Sequence, residues 1–106
     1  MILVHQRYFA APGLREKVLD TRVEASGRLA ELGVPTGRIW VPVRGEAGTD
    51  AGLPDVVWEC TYPSLEERER IRAFQESDPT FHDIRTRQGT QLERWVREHY
   101  RLLDLR

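Results

Sequence analysis

Ser77-Asp78-Pro79-Thr80-Phe81 is the stretch on which the reading of this chain turns. The residue before a proline avoids helical angles, so Asp78-Pro79 ends one helix. Asp78 is then placed to cap another, with Pro79 in its first turn. Upstream, Ser64-Leu65-Glu66-Glu67 has the capping-box pattern, a cap Ser with a Glu three residues on. The helix it opens carries a thin apolar stripe, chiefly Ile71 and Phe74. Downstream, Phe81, Ile84, Gln88 and Leu92 form the inner stripe of the next helix. Two short helices in tandem are therefore expected from Ser64 to about Glu93.

Working outward, the segments before this pair read as strands. Met1 to Phe9 is rich in β-branched and aromatic residues and lacks Gly and Pro. Pro12-Gly13 breaks it. Leu14, Val18, Thr21, Ala25, Leu29 and Leu32 then recur at helical spacing, and Gly33 with Pro35 closes that helix. Arg38 to Arg44 and Asp55 to Tyr62 alternate as strands; Pro42, without an N–H, favours a sheet edge for the first of them. Gly45 to Pro54 joins the two and is longer than the usual hairpin connection. After the tandem helices, Trp95 to Leu105 is expected to return as a strand. Without it the first strand would expose a row of unpaired backbone groups.

The chain has 106 residues and a formal net charge of −1. That length implies one domain, 1–106, with a modest core. The charge balance gives no electrostatic footprint for nucleic acid or an anionic membrane. No apolar run approaches the ~20 residues that cross a bilayer, and no signal-peptide pattern opens the chain. Cys60 is the single cysteine, which rules out an intrachain disulfide and implies a reducing, cytoplasmic setting. Arginine far outnumbers lysine, as expected of a GC-rich bacterial genome.

The strands do not alternate cleanly between apolar and polar. Trp40 lies opposite Ile39 and Val41, Trp58 opposite Val57, and Phe9 opposite Tyr8. With helices covering one sheet face, the other would expose an apolar patch. Packing that face on a twin removes it from water, at roughly 25 cal/mol per Å² of apolar area. A homodimer through the sheet face is the expected assembly.

With these features together, the chain resembles the dimeric α/β barrel superfamily, and within it the NIPSNAP-like branch. The resemblance runs over nearly the whole chain: strand, Pro12-Gly13, helix, two strands, capped helix, Asp78-Pro79-Thr80-Phe81, helix and final strand. Tyr8 before Pro12-Gly13, and the closing Arg94-Trp95-Val96-Arg97-Glu98-His99-Tyr100-Arg101-Leu102-Leu103, are similar to that branch. It implies an α+β, ferredoxin-like β-α-β-β-α-β fold, an antiparallel sheet with helices on one face, and a dimer built sheet against sheet. In enzyme members it implies a cavity between the sheet and its own helices. Activities across the superfamily include cofactor-independent oxygenation, polyketide cyclisation, lactone isomerisation and haem degradation. The haem-degrading pattern is not matched. Arg85 stands where those members place a His, Gln6 where they have an Asn, and Tyr62 where they have a Trp.

His5 and Arg7 share one strand face and are the candidate catalytic pair, a base and an oxyanion partner. The competing reading makes His5 a hydrogen-bonded interior or interface residue and Arg7 an ion-pair partner. Trp58 and Tyr62 share a face with Cys60 and are candidate ligand-binding residues, or simply core. Arg85 and Gln88 sit beside the inner stripe of the last helix, as cavity groups or as a stripe edge. His82 and His99 are expected to face solvent. The histidines form no metal motif, so no metal and no cofactor are implied. The Glu66 to Arg72 run reads as a solvated helix face with pairs such as Glu66–Arg70. Three functions follow: a homodimer binding a small apolar or aromatic molecule, a cofactor-independent monooxygenase, isomerase or cyclase using His5 with Arg7 or Arg85, or a non-catalytic interaction module.

Overall fold

The computed structural model describes residues 1–45 and 52–105. They form strand β1 (Ile2–Ala10), helix α1 (Arg15–Glu31), strands β2 (Arg38–Trp40) and β3 (Val56–Tyr62), helices α2 (Leu65–Glu76) and α3 (Pro79–Thr90), and strand β4 (Leu92–Arg101). The sheet order is β2-β3-β1-β4, antiparallel throughout. This is the ferredoxin-like α+β arrangement, with the second helix divided at Asp78-Pro79. Much of the Gly45–Pro54 connection, residues 46–51, lies outside the described residues. No helix among the described residues is long and apolar enough to cross a membrane.

Both predicted caps form. Ser64 accepts the Glu67 N–H at 3.1 Å, and Asp78 accepts the Phe81 N–H at 2.8 Å. Asp78 also takes the Arg28 guanidinium on both its oxygens, at 2.9 and 2.7 Å. The helix break is thereby tied to α1, and the Arg28 charge holds the Asp78 carboxyl down at about 2.

Several boundaries differ from the sequence reading. β2 ends at Trp40, short of Arg44, because Pro42 gives no N–H to the ladder. β3 begins at Val56 because Asp55 turns its carboxylate to the Ala10 N–H (2.8 Å) and to Arg15 and Arg44. α3 stops at Thr90, and Leu92 already pairs with Ala10 across a bulge in the β1–β4 ladder. α1 begins at Arg15, so Pro12 stands in the preceding turn.

The core lies between the sheet and the helix layer. Val4 and Tyr8 of β1 and Val56, Trp58, Cys60 and Tyr62 of β3 meet Val18, Ala25 and Leu29 of α1, Ile71 of α2, and Phe81 and Ile84 of α3. Gly37 is required where the β2 approach crosses β3. Its φ is +70°, and a Cβ there would sit 2.5 Å from the Glu59 carbonyl oxygen and 2.7 Å from Trp58 Nε1. That same indole N–H donates to the Thr36 carbonyl at 2.9 Å.

Candidate functional site

Strand alternation divides the side chains of the sheet into two sets. The inner set includes Gln6 and Tyr8 of β1, Trp58 and Tyr62 of β3, and Trp95 and Arg97 of β4; the pairings Gln6↔Trp58 and Gln6↔Arg97 align them across the sheet. Between these residues and the helices is a cavity of about 340 Å³. Aromatic rings give it an apolar wall, with Phe81 and Ile84 of α3 facing them. Burial, and then the neighbouring Cys60, push the Tyr62 phenol well above its ordinary value, so it remains a neutral donor.

A polar row crosses the cavity. Tyr8 Oη donates to Gln6 Oε1 at 2.5 Å, Arg22 Nη1 donates to Tyr8 Oη at 3.4 Å, and Trp95 Nε1 donates to Gln6 Oε1 at 3.4 Å. The Arg22 guanidinium lies over the Trp58 ring at 4.7 Å, and that of Arg97 over the Trp95 ring at 4.6 Å. Each end of the row is therefore a cation resting on an indole face.

Positive charge is concentrated here. Five arginines bring charge to the cavity (22, 68, 72, 85 and 97) against two glutamates, Glu76 and Glu93, although the whole chain carries −1; Arg94 also borders it, but its guanidinium lies over Phe9 at 4.6 Å, on the outer face. Arg68 pairs with Glu69 at 2.6 Å, and Arg85 pairs with Glu76. Among the described residues, no carboxylate within 4.0 Å pairs with Arg22, Arg72, Arg94 or Arg97. The Nε atoms of Arg22 and Arg97 are buried and have no hydrogen-bond partner there. Arg97 is brought down to about 10, first by burial and then by the charges of Arg72, Arg68 and Arg85. A buried, uncompensated cation costs several kcal/mol; an indole face returns about 0.5–2. Arg22, which is 6% exposed, is therefore under-compensated, and half-buried Arg97 shares the deficit in part.

Of the residues singled out from sequence, Trp58, Tyr62, Arg85 and Gln88 all border this cavity. Gln88 is buried and donates to the Val18 carbonyl at 3.3 Å and to Gln91 Oε1 at 3.0 Å. His5 and Arg7 are not in it. Their strand positions put them on the outer sheet face, where both contact Glu98, from His5 Nδ1 at 3.3 Å and Arg7 Nε at 3.1 Å. His5 and Arg85 therefore lie on opposite sides of the sheet within a protomer. A hydrogen bond from Tyr100, first, and one from His5 hold the Glu98 carboxyl below its usual range.

Sequence reasoning missed Arg22, Arg68, Arg72 and Arg97. The Glu66–Arg72 run is not a fully solvated face: Arg68 is 5% exposed, whereas Phe74, expected in the inner stripe, is 48% exposed. The buried positions of α2 are Arg68, Ile71 and Gln75, a helical spacing with a polar stripe. Arg70 pairs with Glu67 rather than Glu66. His82 and His99 are exposed, as expected.

No protein-family model matches the chain, and no curated protein sequence does. Solved structures do. A NIPSNAP domain protein from Burkholderia xenovorans aligns with a TM-score of 0.73 at 17% identity, covering 99% of this chain and 97% of that one. A NIPSNAP family protein from Agrobacterium tumefaciens gives 0.72 at 19%, covering 99% and 88%. A dimeric protein of ferredoxin-like fold from Bacteroides fragilis gives 0.68 at 10%, covering 95% of each. The chain thus has the fold shared by NIPSNAP domain proteins and dimeric ferredoxin-like proteins.

Proposed function

We propose that this chain is a NIPSNAP-like homodimeric protein, one domain over 1–106, that binds a small, flat, largely apolar or aromatic molecule between its sheet and its helices. The observation that carries this reading is the 340 Å³ cavity, whose wall sets the rings of Trp58, Trp95, Tyr8 and Tyr62 beside a cluster of arginines and glutamines. That size is in the range of small-molecule sites, and the aromatic rings supply their usual apolar wall. Trp58, Tyr62, Arg85 and Gln88 are the assigned ligand-binding residues. A single buried cysteine fits a reducing, cytoplasmic setting.

The homodimer reading rests on the outer sheet face. Leu3, Phe9, Val57 and Val96 lie there among the charges, and Trp40 and Tyr100 are 50% and 47% exposed. A second copy covers these groups, and the Bacteroides fragilis protein of the same fold is dimeric.

Calorimetric titration with two-ring aromatics of different charge tests the cavity. Ile84, 3% exposed and on its wall, is the site to fill. At least one such compound is expected to bind the native chain, and Ile84→Trp to weaken it by about tenfold or more. No binding by any of them, or unchanged binding in an Ile84→Trp variant that melts cooperatively, contradicts the reading.

A further inference from the structure

We propose that the molecule held in this cavity is an anion: a flat acid whose carboxylate-class oxyanion is seated by Arg97 and Arg72, with its apolar body on the Trp58 and Trp95 side. This rests on the cavity being a ligand site. It goes further by fixing the ligand's charge and the residues that read it.

Away from the cavity, several guanidiniums are matched to carboxylates, Arg28 with Asp78 at 2.7 Å, Arg87 with Glu24 at 2.7 Å and Arg7 with Glu98 at 3.1 Å, while the arginines without one there among the described residues, such as Arg38 and Arg101, are exposed to water. The chain carries seventeen acidic residues to sixteen basic ones, so acids are not scarce. Inside, Arg68 and Arg85 have Glu69 and Glu76, but Arg72 and Arg97 have no carboxylate among the described residues. Arg72 and Arg97 also lie close enough to oppose one another's charge. The Arg97 guanidinium centre lies 4.6 Å from the Trp95 ring centroid while its buried Nε has no acceptor. With its Nε sealed from solvent, Arg97 can offer the cavity only its terminal N–H groups, which carboxylates and other oxyanions accept from in pairs. Arg22 repeats the arrangement over Trp58, 6% exposed, with its own Nε unfilled. A cluster that repels itself when empty and is neutralised when filled is the mark of a site kept for binding at some cost in stability.

The test compares 2-naphthoate, 2-naphthylmethanol and 2-naphthylmethylamine on the full chain by calorimetry. The acid is expected to bind tightest, about thirtyfold or more above the alcohol, with the amine weakest. Arg97→Met is expected to bring the acid down to the level of the alcohol and leave the alcohol within about threefold. Without ligand, the same variant is expected to melt higher than the native chain, because a repelled cation is replaced by an apolar side chain; Arg72→Met should weaken the acid in the same direction. If the alcohol or amine binds as tightly as the acid, or the acid's advantage survives both substitutions, the charge assignment is overturned while the cavity remains a ligand site. If none of the three binds, the cavity reading fails and this inference fails with it.

Discussion

The two faces of the sheet treat charge differently. On the outer face, His5, Arg7 and Glu98 compensate one another, and each keeps roughly a quarter to a third of its side chain in solvent. On the inner face, Arg22 is 6% exposed and Arg97 half-buried, and both lie over indoles with unfilled Nε atoms. A surface pair of that kind is worth about 0–1 kcal/mol and needs nothing more. A covered guanidinium without a counter-charge is costly. The difference separates a face suited to meeting another protein from one suited to taking in a small acid.

The sharpest way to probe this contrast is tryptophan removal on each face. Trp58→Ala empties a buried site and is expected to cost about 3–5 kcal/mol in urea unfolding. Trp40→Ala, half exposed on the outer face, should fall within about 1 kcal/mol once folding is separated from assembly. Equal losses would erase the distinction between the faces. Next, Val96→Glu adds a charge to the outer face opposite Arg7. It is expected to weaken self-association by about thirtyfold, about 2 kcal/mol, in sedimentation equilibrium, leaving binding of aromatic acids intact. A dimer unaffected by Val96→Glu is paired through some other surface.

Gly37→Ala tests how rigidly β2 is held against Trp58. The left-handed backbone and the 2.5 Å approach to the Glu59 carbonyl predict a loss above about 1 kcal/mol. The smallest effect concerns a matched pair. The Asp78 carboxyl lies at about 2 in the fold against an ordinary 3.8. Its contribution to stability is therefore fully present above 3.8 and is lost as pH falls through about 2. Asp78→Asn should flatten the melting temperature over that interval while keeping the α3 cap; an unchanged acid profile would show that the Arg28 pair contributes nothing.

Much of the fold was legible because its signals are local. The Ser64 and Asp78 caps, the Pro12-Gly13 turn and the α1 stripe each depend on neighbouring residues. Pro42 marked β2 as an edge strand, though not how soon it would stop. The end of α3 was misplaced because Phe81, Ile84, Gln88 and Leu92 fit one helical stripe, and only pairing of Leu92 with Ala10 decides otherwise. For the site, Trp58, Tyr62, Arg85 and Gln88 were readable from strand parity and helical spacing. Arg68 and Arg72 were hidden because arginine is usually solvated; their spacing with Ile71 and Gln75 held the clue. Arg97 lay in a strand whose register was uncertain until its pairing with Gln6 fixed which way it faced. His5 and Arg7 stood out by chemistry alone, and parity could not say which side of the sheet the helices would cover.

The most direct test follows the arginines themselves. In a spectrum resolving arginine Nε–Hε groups, addition of 2-naphthoate is expected to shift Arg97, Arg72 and Arg22 while Arg7 stays in place. Shifts confined to Arg7, or none at saturating acid, would contradict an inner-face anion site.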